Sequence, residues 1–193
     1  MQASMPESTP SVILWRHAKS DWRHAGLADH DRPLNARGLR DRHIMGAYIA
    51  EHFKPDIILC STARRAQETL AAYPLRGETK IIDIEALYHA APETLLSCAR
   101  QYGPGHACLM LVGHNPGMEM LAESMRLTAP AIAARFADKY ATCGVARLHW
   151  PSDRGPKNRG PKNSGPSEWS DIAPSNGAVT HYQAPKLLTP KMN

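Results

Sequence analysis

Three short apolar runs in this chain each end in a cation or an imidazole. Residues 11–15 lead straight into Arg16-His17, residues 56–60 are followed closely by Arg64-Arg65, and residues 107–112 pass through Gly113 into His114. Guanidinium forks match phosphate oxygens bidentately and stay charged at any working pH, so arginines of this kind suit a phosphoryl group. An imidazole among them can act as a nucleophile, and neighbouring cations favour its neutral, attacking form by depressing its pKa. Phosphoryl transfer asks for positioning and charge stabilisation more than for covalent help, which fixed arginines supply without a metal. No carboxylate cluster of the Mg²⁺-binding kind stands out. The four cysteines (Cys60, Cys98, Cys108 and Cys143) show no metal-type spacing, so no metal and no cofactor are expected.

These residues can act together only if one scaffold brings them to one place. The run 12–16 reads as a buried strand, followed by a long loop over 18–36. From Asn35, apolar residues at three-to-four spacing predict a helix that Lys54-Pro55 closes. Residues 56–60 predict a second strand, with Ser61 or Thr62 as the N-cap of a helix reaching about Tyr73. A third strand is expected over 79–84, a helix opened by Pro92, and a fourth strand over 107–112. A turn over 113–117 then leads into a helix ending near Met125. Residues 127–142 are alanine-rich and read as partly helical, and 145–150 alternate like a last strand. Alternating strands and helices imply a three-layer α/β/α fold with a mostly parallel central sheet. In such sheets the site lies beyond the carboxyl ends of the strands, and Arg16-His17, Arg64-Arg65 and His114 all follow strand ends.

The same residues carry a resemblance. The stretch Leu14-Trp15-Arg16-His17-Ala18-Lys19-Ser20-Asp21-Trp22 resembles the Arg-His-Gly signature of the histidine phosphatase (phosphoglycerate mutase-like) superfamily. Ser61, Arg65-Ala66 and Thr69 are similar to its second motif, and Val112-Gly113-His114-Asn115 to its third. The segment from Asp29 through Arg32-Pro33-Leu34-Asn35 to Arg37-Gly38 is most similar to bacterial SixA-type phosphohistidine phosphatases. The likeness spans roughly residues 12–150. It implies a phosphoglycerate mutase-like fold, with His17 as the nucleophile that becomes phosphorylated. Arg16 and Arg65 would clamp the phosphate oxygens, His114 would stabilise the transferring group, and Ser20 matches a motif position near the phosphate. Water would then release phosphate from His17.

Departures from the pattern carry information. Ala18 replaces the usual glycine, and Arg23 stands where many relatives have asparagine. Motif spacing selects Arg65 over the adjacent Arg64. Larger relatives place a general-acid glutamate after the third strand; Glu85 is the only near match, with Asp21 as a second candidate. An alkoxide leaving group needs a proton donor worth about 10²–10⁴ in rate, whereas an imidazole leaving a phosphoramidate can carry its own proton. The weakness of the acid motif therefore points to phosphohistidine as substrate. His24, His30, His43, His52, His89, His106, His149 and His181 read as surface or satisfied histidines. Arg32 and Arg37 read equally as pocket-entrance groups or salt-bridge partners, and Arg40 and Arg42 as solvated helix charges.

At 193 residues the chain predicts one domain over 11–193, preceded by a flexible arm at 1–10. Arg154-Gly155-Pro156-Lys157-Asn158 recurs as Arg159-Gly160-Pro161-Lys162-Asn163, so a low-complexity Gly/Pro/Lys loop is expected at about 152–167. The run from Trp169 to Thr189 is expected to return to the domain. No signal-peptide pattern or membrane-length apolar run is present, so a cytoplasmic monomer without a membrane partner is expected. The net charge of +5 is concentrated toward the C-terminal end, but aromatic–basic interleaving is lacking, and no nucleic-acid partner is expected. The expected partner is a phosphohistidine-bearing protein of a signalling or phosphorelay system. The competing readings are a phosphatase of small phosphate esters and, from another class, a non-catalytic phosphohistidine-binding module.

Overall fold

The computed structural model describes residues 9–151 and 168–188, apart from positions 25, 76, 78 and 138. Six strands, β1 (Ser11–Arg16), β2 (Ile57–Ser61), β3 (Lys80–Ile84), β4 (Cys108–Gly113), β5 (Val145–His149) and β6 (Ala178–Gln183), form one sheet. Their order is β3-β2-β4-β1-β5-β6. The four strands β3, β2, β4 and β1 run parallel, and β5 and β6 extend the sheet antiparallel from β1. The helices are α1 (Ala36–His52), α2 (Arg64–Leu70), α3 (Pro92–Tyr102), α4 (Gly117–Ser124), α5 (Pro130–Ala133) and α6 (Pro185–Leu188).

The apolar runs are continuous because both faces of the central strands are covered. Val12 and Leu14 of β1, Ile57 and Leu59 of β2, and Leu109 and Leu111 of β4 pack with Leu95 of α3 and Leu121 of α4 on one face. The intervening Ile13, Trp15, Ile58, Cys60, Met110 and Val112 pack on the other face with Met45 and Ile49 of α1 and Leu70 of α2. This period-two division makes the fold the expected three-layer α/β/α arrangement. Strand β3, at the sheet edge, is largely exposed and begins with Lys80, a charge of the kind that blunts an open edge.

Local signals explain most boundaries. The Asn35 side chain caps α1 by accepting from the Gly38 N–H at 2.9 Å. For α2 the expected cap is wrong: the N-cap is Ala63, without a side-chain cap, and the helix stops at Leu70. Both expected caps are occupied elsewhere, Ser61 Oγ with His114 Nε2 at 2.8 Å and Thr62 Oγ1 with His30 Nε2 at 3.0 Å. Among its described residues the alanine-rich segment holds the single helical turn α5. The return of the chain after Trp169 contains strand β6, which the sequence pattern does not announce. Of the expected arm, Thr9 and Pro10 are described, and the Pro10 carbonyl accepts from the Trp150 N–H at 3.5 Å. The rest of that arm and the repeat loop at 152–167 lie outside the described residues. Among the described residues no helix is long and apolar enough to cross a membrane.

Helix α4 starts at Gly117 because nothing larger fits there. A Cβ at this position would collide with the Ala90 carbonyl, on the segment that also carries Tyr88 and His89. Gly117→Ala should destabilise the protein by about 1–3 kcal/mol through overpacking against rigid backbone. Thermal unfolding would show a fall of about 2–4 °C per kcal/mol for a chain of this size, and an unchanged midpoint would refute the close fit.

Candidate active site

Strand register places the first two histidines. Arg16 of β1 lies opposite Gly113 of β4, so His17 and His114 are each the next residue beyond the sheet edge. The His17 N–H donates to the Gly113 carbonyl at 2.9 Å, and the two rings stand with centroids 4.9 Å apart. Strand β2 pairs on the other side of β4, which brings Ser61 under His114 for the 2.8 Å contact between Oγ and Nε2. The Ser61 hydroxyl needs an acceptor, and neutral His114 offers one at Nε2. The His114 proton therefore sits on Nδ1, a buried donor with no partner among the described residues.

The tautomer of His17 follows from the same reasoning. Nδ1 lies 2.7 Å from the Ala18 carbonyl, which can only accept, so Nδ1 carries the proton and Nε2 keeps its lone pair. Arg65 Nε donates to that Nε2 at 3.3 Å. The Ala18 N–H donates to Thr69 Oγ1 at 2.9 Å, and the Thr69 hydroxyl donates to the Arg65 carbonyl at 2.6 Å. A closed ring of hydrogen bonds thus joins His17, Ala18, Thr69 and Arg65. Burial, together with the charges of Arg65, Arg16 and Arg32, pushes the His17 pKa down to about 3 against the upward pull of the Ala18 carbonyl. Burial also holds His114 well below its ordinary value, helped by His17, Arg65 and His89.

Arg16 is anchored from the opposite side. Its Nη1 donates to the Tyr140 carbonyl at 2.5 Å, and the Tyr140 N–H donates to Glu119 Oε1 at 2.7 Å. Asn115 Nδ2 donates to Glu119 Oε2 at 2.7 Å, so the residue after His114 belongs to the same brace. Arg16 Nε, like His114 Nδ1, is a buried donor without a partner among the described residues.

The outer wall is built around Asp29. Its backbone carbonyl accepts from Arg65 Nη1 at 2.5 Å, and its Oδ2 from Arg65 Nη2 at 2.9 Å and from the Tyr88 hydroxyl at 2.6 Å. Oδ1 pairs with Arg32 Nη2 at 2.5 Å, and the Arg32 guanidinium lies 3.4 Å from the centroid of the exposed Trp22 ring. His89 Nε2 stands 3.3 Å from Asp29 Oδ2. Burial pushes the Asp29 carboxyl up, but hydrogen bonds from Tyr88 and His89 and the charges of Arg65 and Arg32 outweigh it and hold the group ionised. An ionised carboxylate only accepts, so His89 places an N–H there; its 3.5 Å approach to Arg65 Nη2 is donor against donor.

The structure therefore brings Arg16, His17, Arg65 and His114 together. It separates Arg64, which is exposed and paired with Glu68 at 2.8 Å, from Arg65, which is 1% exposed. Ser20 is buried and its backbone bridges to Leu34, but its side chain makes no hydrogen bond to the four among the described residues. Glu85 is exposed in a one-turn helix and has no hydrogen bond or ion pair with them. Asp21 is committed to Arg23, whose Nη2 lies 2.7 Å from Oδ2 and whose side chain is largely exposed. His89 is exposed, in keeping with the surface reading, and its ring also lies 5.2 Å from His114, on a backbone with φ of 50° that L residues seldom adopt. Tyr88, which the sequence does not single out, stands edge-on to His114 at 5.4 Å. Arg32 resolves as both a pocket residue and a salt-bridge partner.

The sequence profile of the Histidine phosphatase superfamily (branch 1) matches residues 12–89. An uncharacterized Mycobacterium tuberculosis protein is 33% identical over 175 residues, covering 89% of this chain and 99% of the relative. The chain belongs to the histidine phosphatase superfamily. Among solved structures, the candidate phosphohistidine phosphatase SixA from Agrobacterium tumefaciens is similar at 36% identity and a TM-score of 0.65, covering 72% of this chain and 90% of that one. A SixA structure from Nakamurella multipartitia superposes with a TM-score of 0.69 over 94% of this chain and 99% of its own; at 22% identity it supports the phosphoglycerate mutase-like fold alone. The family profile ends at His89, so His114 rests on the strand register and the geometry above.

The depressed histidines make stability depend on pH. In the unfolded chain an imidazole takes up a proton near 6.5, whereas folded His17 stays neutral down to about 3 and His114 is likewise neutral well below 6.5. Between these values the unfolded state holds more protons, so stability falls as pH drops below 6.5. Asp29 and Asp21, whose folded pKa values are lowered, add their own loss only below about pH 4, where unfolded carboxylates begin to protonate. His17→Gln/His114→Gln should flatten the decline of the urea midpoint between pH 6.5 and about 4. An unchanged slope would contradict the neutral state of the pair.

Proposed function

We propose that this protein is a phosphatase that hydrolyses phosphohistidine on a signalling or phosphorelay protein through a phospho-His17 intermediate. The observation that carries the reading is the state of His17, with its proton held at Nδ1 by the Ala18 carbonyl and a lone pair at Nε2 among Arg65, Arg16 and His114. That lone pair attacks phosphorus, the bond from phosphorus to the substrate nitrogen breaks, and its electron pair returns to the leaving imidazole. A substrate imidazole protonated at its far nitrogen leaves as a neutral ring. His17 gains the phosphoryl group while keeping its Nδ1 proton, so one phosphoimidazolium replaces another and little net charge moves. Water then attacks phosphorus, the bond to Nε2 breaks, and dihydrogen phosphate and neutral His17 are regenerated.

The choice of phosphohistidine rests on the carboxylates. Asp29 is held ionised by its hydrogen bonds and cations, Asp21 by its hydrogen bonds to Arg23, and Glu85 stays outside the pocket. None is placed as the neutral acid that an alkoxide leaving group requires. The similarity to the SixA protein of Agrobacterium tumefaciens supports the same reading.

With a phosphohistidine protein as substrate, turnover should exceed that of a simple alkyl phosphate by about 10²-fold or more, the value of the missing acid. Rapid quenching in base should trap acid-labile phosphate on His17, and His17→Ala should lose both the label and turnover. Equal hydrolysis of the alkyl ester would overturn the substrate, and turnover that survives His17→Ala would overturn the intermediate. Glu85→Gln should leave turnover unchanged, against a loss of about 10²-fold or more if it were the proton donor.

A further inference from the structure

Next to the phosphate pocket lies a second cavity of about 520 Å³, and its charge is one-sided. Arg37 and Arg40 reach it from the first turns of α1, Lys139 from the segment before β5, and Lys186 from the start of α6. Asp41, also in the lining, pairs with Arg37 at 3.4 Å. Arg40, Lys139 and Lys186 form no ion pair among the described residues, and with Arg37 they bring four cations from three separate elements against the one described carboxylate of the lining, Asp41. Such convergence opposes folding through self-repulsion and creates a field that attracts anions.

The cavity shares a wall with the site. Ala141 and Thr142 line it, and they are bracketed by Tyr140, whose carbonyl holds Arg16, and Cys143, whose N–H donates to the His17 carbonyl at 3.2 Å. On the other side, the Asn35 N–H that precedes α1 donates to the Lys19 carbonyl at 2.9 Å, and Ser20 bridges to Leu34. The same stretch carries Trp22, which is 70% exposed and stacks on Arg32 at the mouth of the pocket.

The form of the cavity separates a small anion from an acidic segment. A site built for one small anion aims buried donors at a point. Here Arg37, Arg40, Lys139 and Lys186 are exposed, and no buried unpartnered polar atom among the described residues belongs to the lining. Spread cations of this kind steer and orient a partner with complementary charge. We propose that the cavity docks an acidic segment beside the phosphohistidine of the substrate protein, with Arg40, Lys139 and Lys186 as its specificity determinants. The proposal rests on the phosphohistidine reading for its substrate and on the cavity for its charge.

Two synthetic phosphohistidine peptides, identical except for glutamate or glutamine flanks, test it. The wild-type protein should show kcat/KM roughly tenfold higher for the glutamate peptide at low ionic strength, through KM rather than kcat. The preference should vanish near about 1 M salt, where the Debye length falls to about 3 Å. Arg40→Glu/Lys186→Glu should abolish or reverse it while phosphoramidate, too small to reach the cavity, is hydrolysed as fast as by the wild type. Arg40→Gln/Lys186→Gln should weaken it and serves if the charge reversal does not fold. No preference in the wild type, a preference that survives both variants, or an equal loss on phosphoramidate would each overturn the docking role. If the wild type hydrolyses neither peptide nor phosphoramidate, the phosphohistidine reading fails by itself. Docking is then decided by the affinities of the unphosphorylated peptides: tighter wild-type binding of the glutamate peptide, lost in the variant, upholds it, and equal binding overturns it.

Discussion

Arg65 is a fully charged group with almost no exposed surface, and a buried guanidinium is tolerable only where acceptors and an anion meet its donors. Here all three edges are met: Nε by His17, Nη1 by the Asp29 carbonyl, and Nη2 by the Asp29 carboxylate. The partners come from the end of β1 and from the long loop after it, while Arg65 itself opens α2. The loop cannot be a passive connection, because without it a cation in the centre of the site has no counter-charge. Arg32 extends the dependence outward, pairing with the other Asp29 oxygen and stacking on Trp22. The mouth of the pocket is thus organised by the requirement to compensate one buried charge.

Burial, and after it the same charge, set the state of the histidines. Two imidazoles with centroids 4.9 Å apart, with Arg16 and Arg65 beside them, cannot both be protonated without strong repulsion, and burial removes the water that would screen it. Both are therefore neutral, and their tautomers are selected by fixed oxygens, the Ala18 carbonyl for His17 and the Ser61 hydroxyl for His114. The ring of hydrogen bonds through Thr69 ties the position of Ala18 to the backbone of Arg65, so nucleophile and cation are registered to each other without a flexible side chain between them. Thr69 in the second motif acquires a physical purpose here. Its hydroxyl accepts from one motif and donates to the other.

How far the sequence discloses this arrangement depends on the range of each interaction. Continuous apolar runs ending in Arg16-His17 and in Gly113-His114 announce parallel, doubly buried strands, and parallel register then forces the two histidines side by side. Helix α1 is equally legible, since the Asn35 cap is a local event. The caps of α2 are not, because Ser61 and Thr62 are claimed by His114 and His30 from distant parts of the chain. His89 illustrates the same limit: no neighbour in sequence distinguishes it from other exposed histidines, and only the turn with positive φ brings it against Asp29. Strand β6 was hidden for a different reason. It is half-exposed and follows a low-complexity segment, so its polar residues mask the pairing with β5.

The distribution of satisfied and unsatisfied donors constrains how a phosphoryl group is held in the proposed reaction. Each Arg65 nitrogen already has a partner, which leaves two of its five N–H donors spare, whereas Arg16 Nε, His114 Nδ1 and, at the mouth, Arg32 Nε and Nη1 are buried without partners among the described residues, a state that costs about 1–3 kcal/mol for each group until an acceptor meets it. Phosphoryl oxygens gain most at these unmet donors. At Arg65 they compete with a carboxylate already in place, and an intramolecular anion acts at high effective concentration. Bond formation at His17 Nε2 also takes over the lone pair that Arg65 Nε now binds, freeing that donor for an oxygen of the group being transferred. Arg65 is thereby more available to the phosphorylated intermediate than to free phosphate. That difference favours forming the intermediate while leaving orthophosphate weakly held once His17 is regenerated.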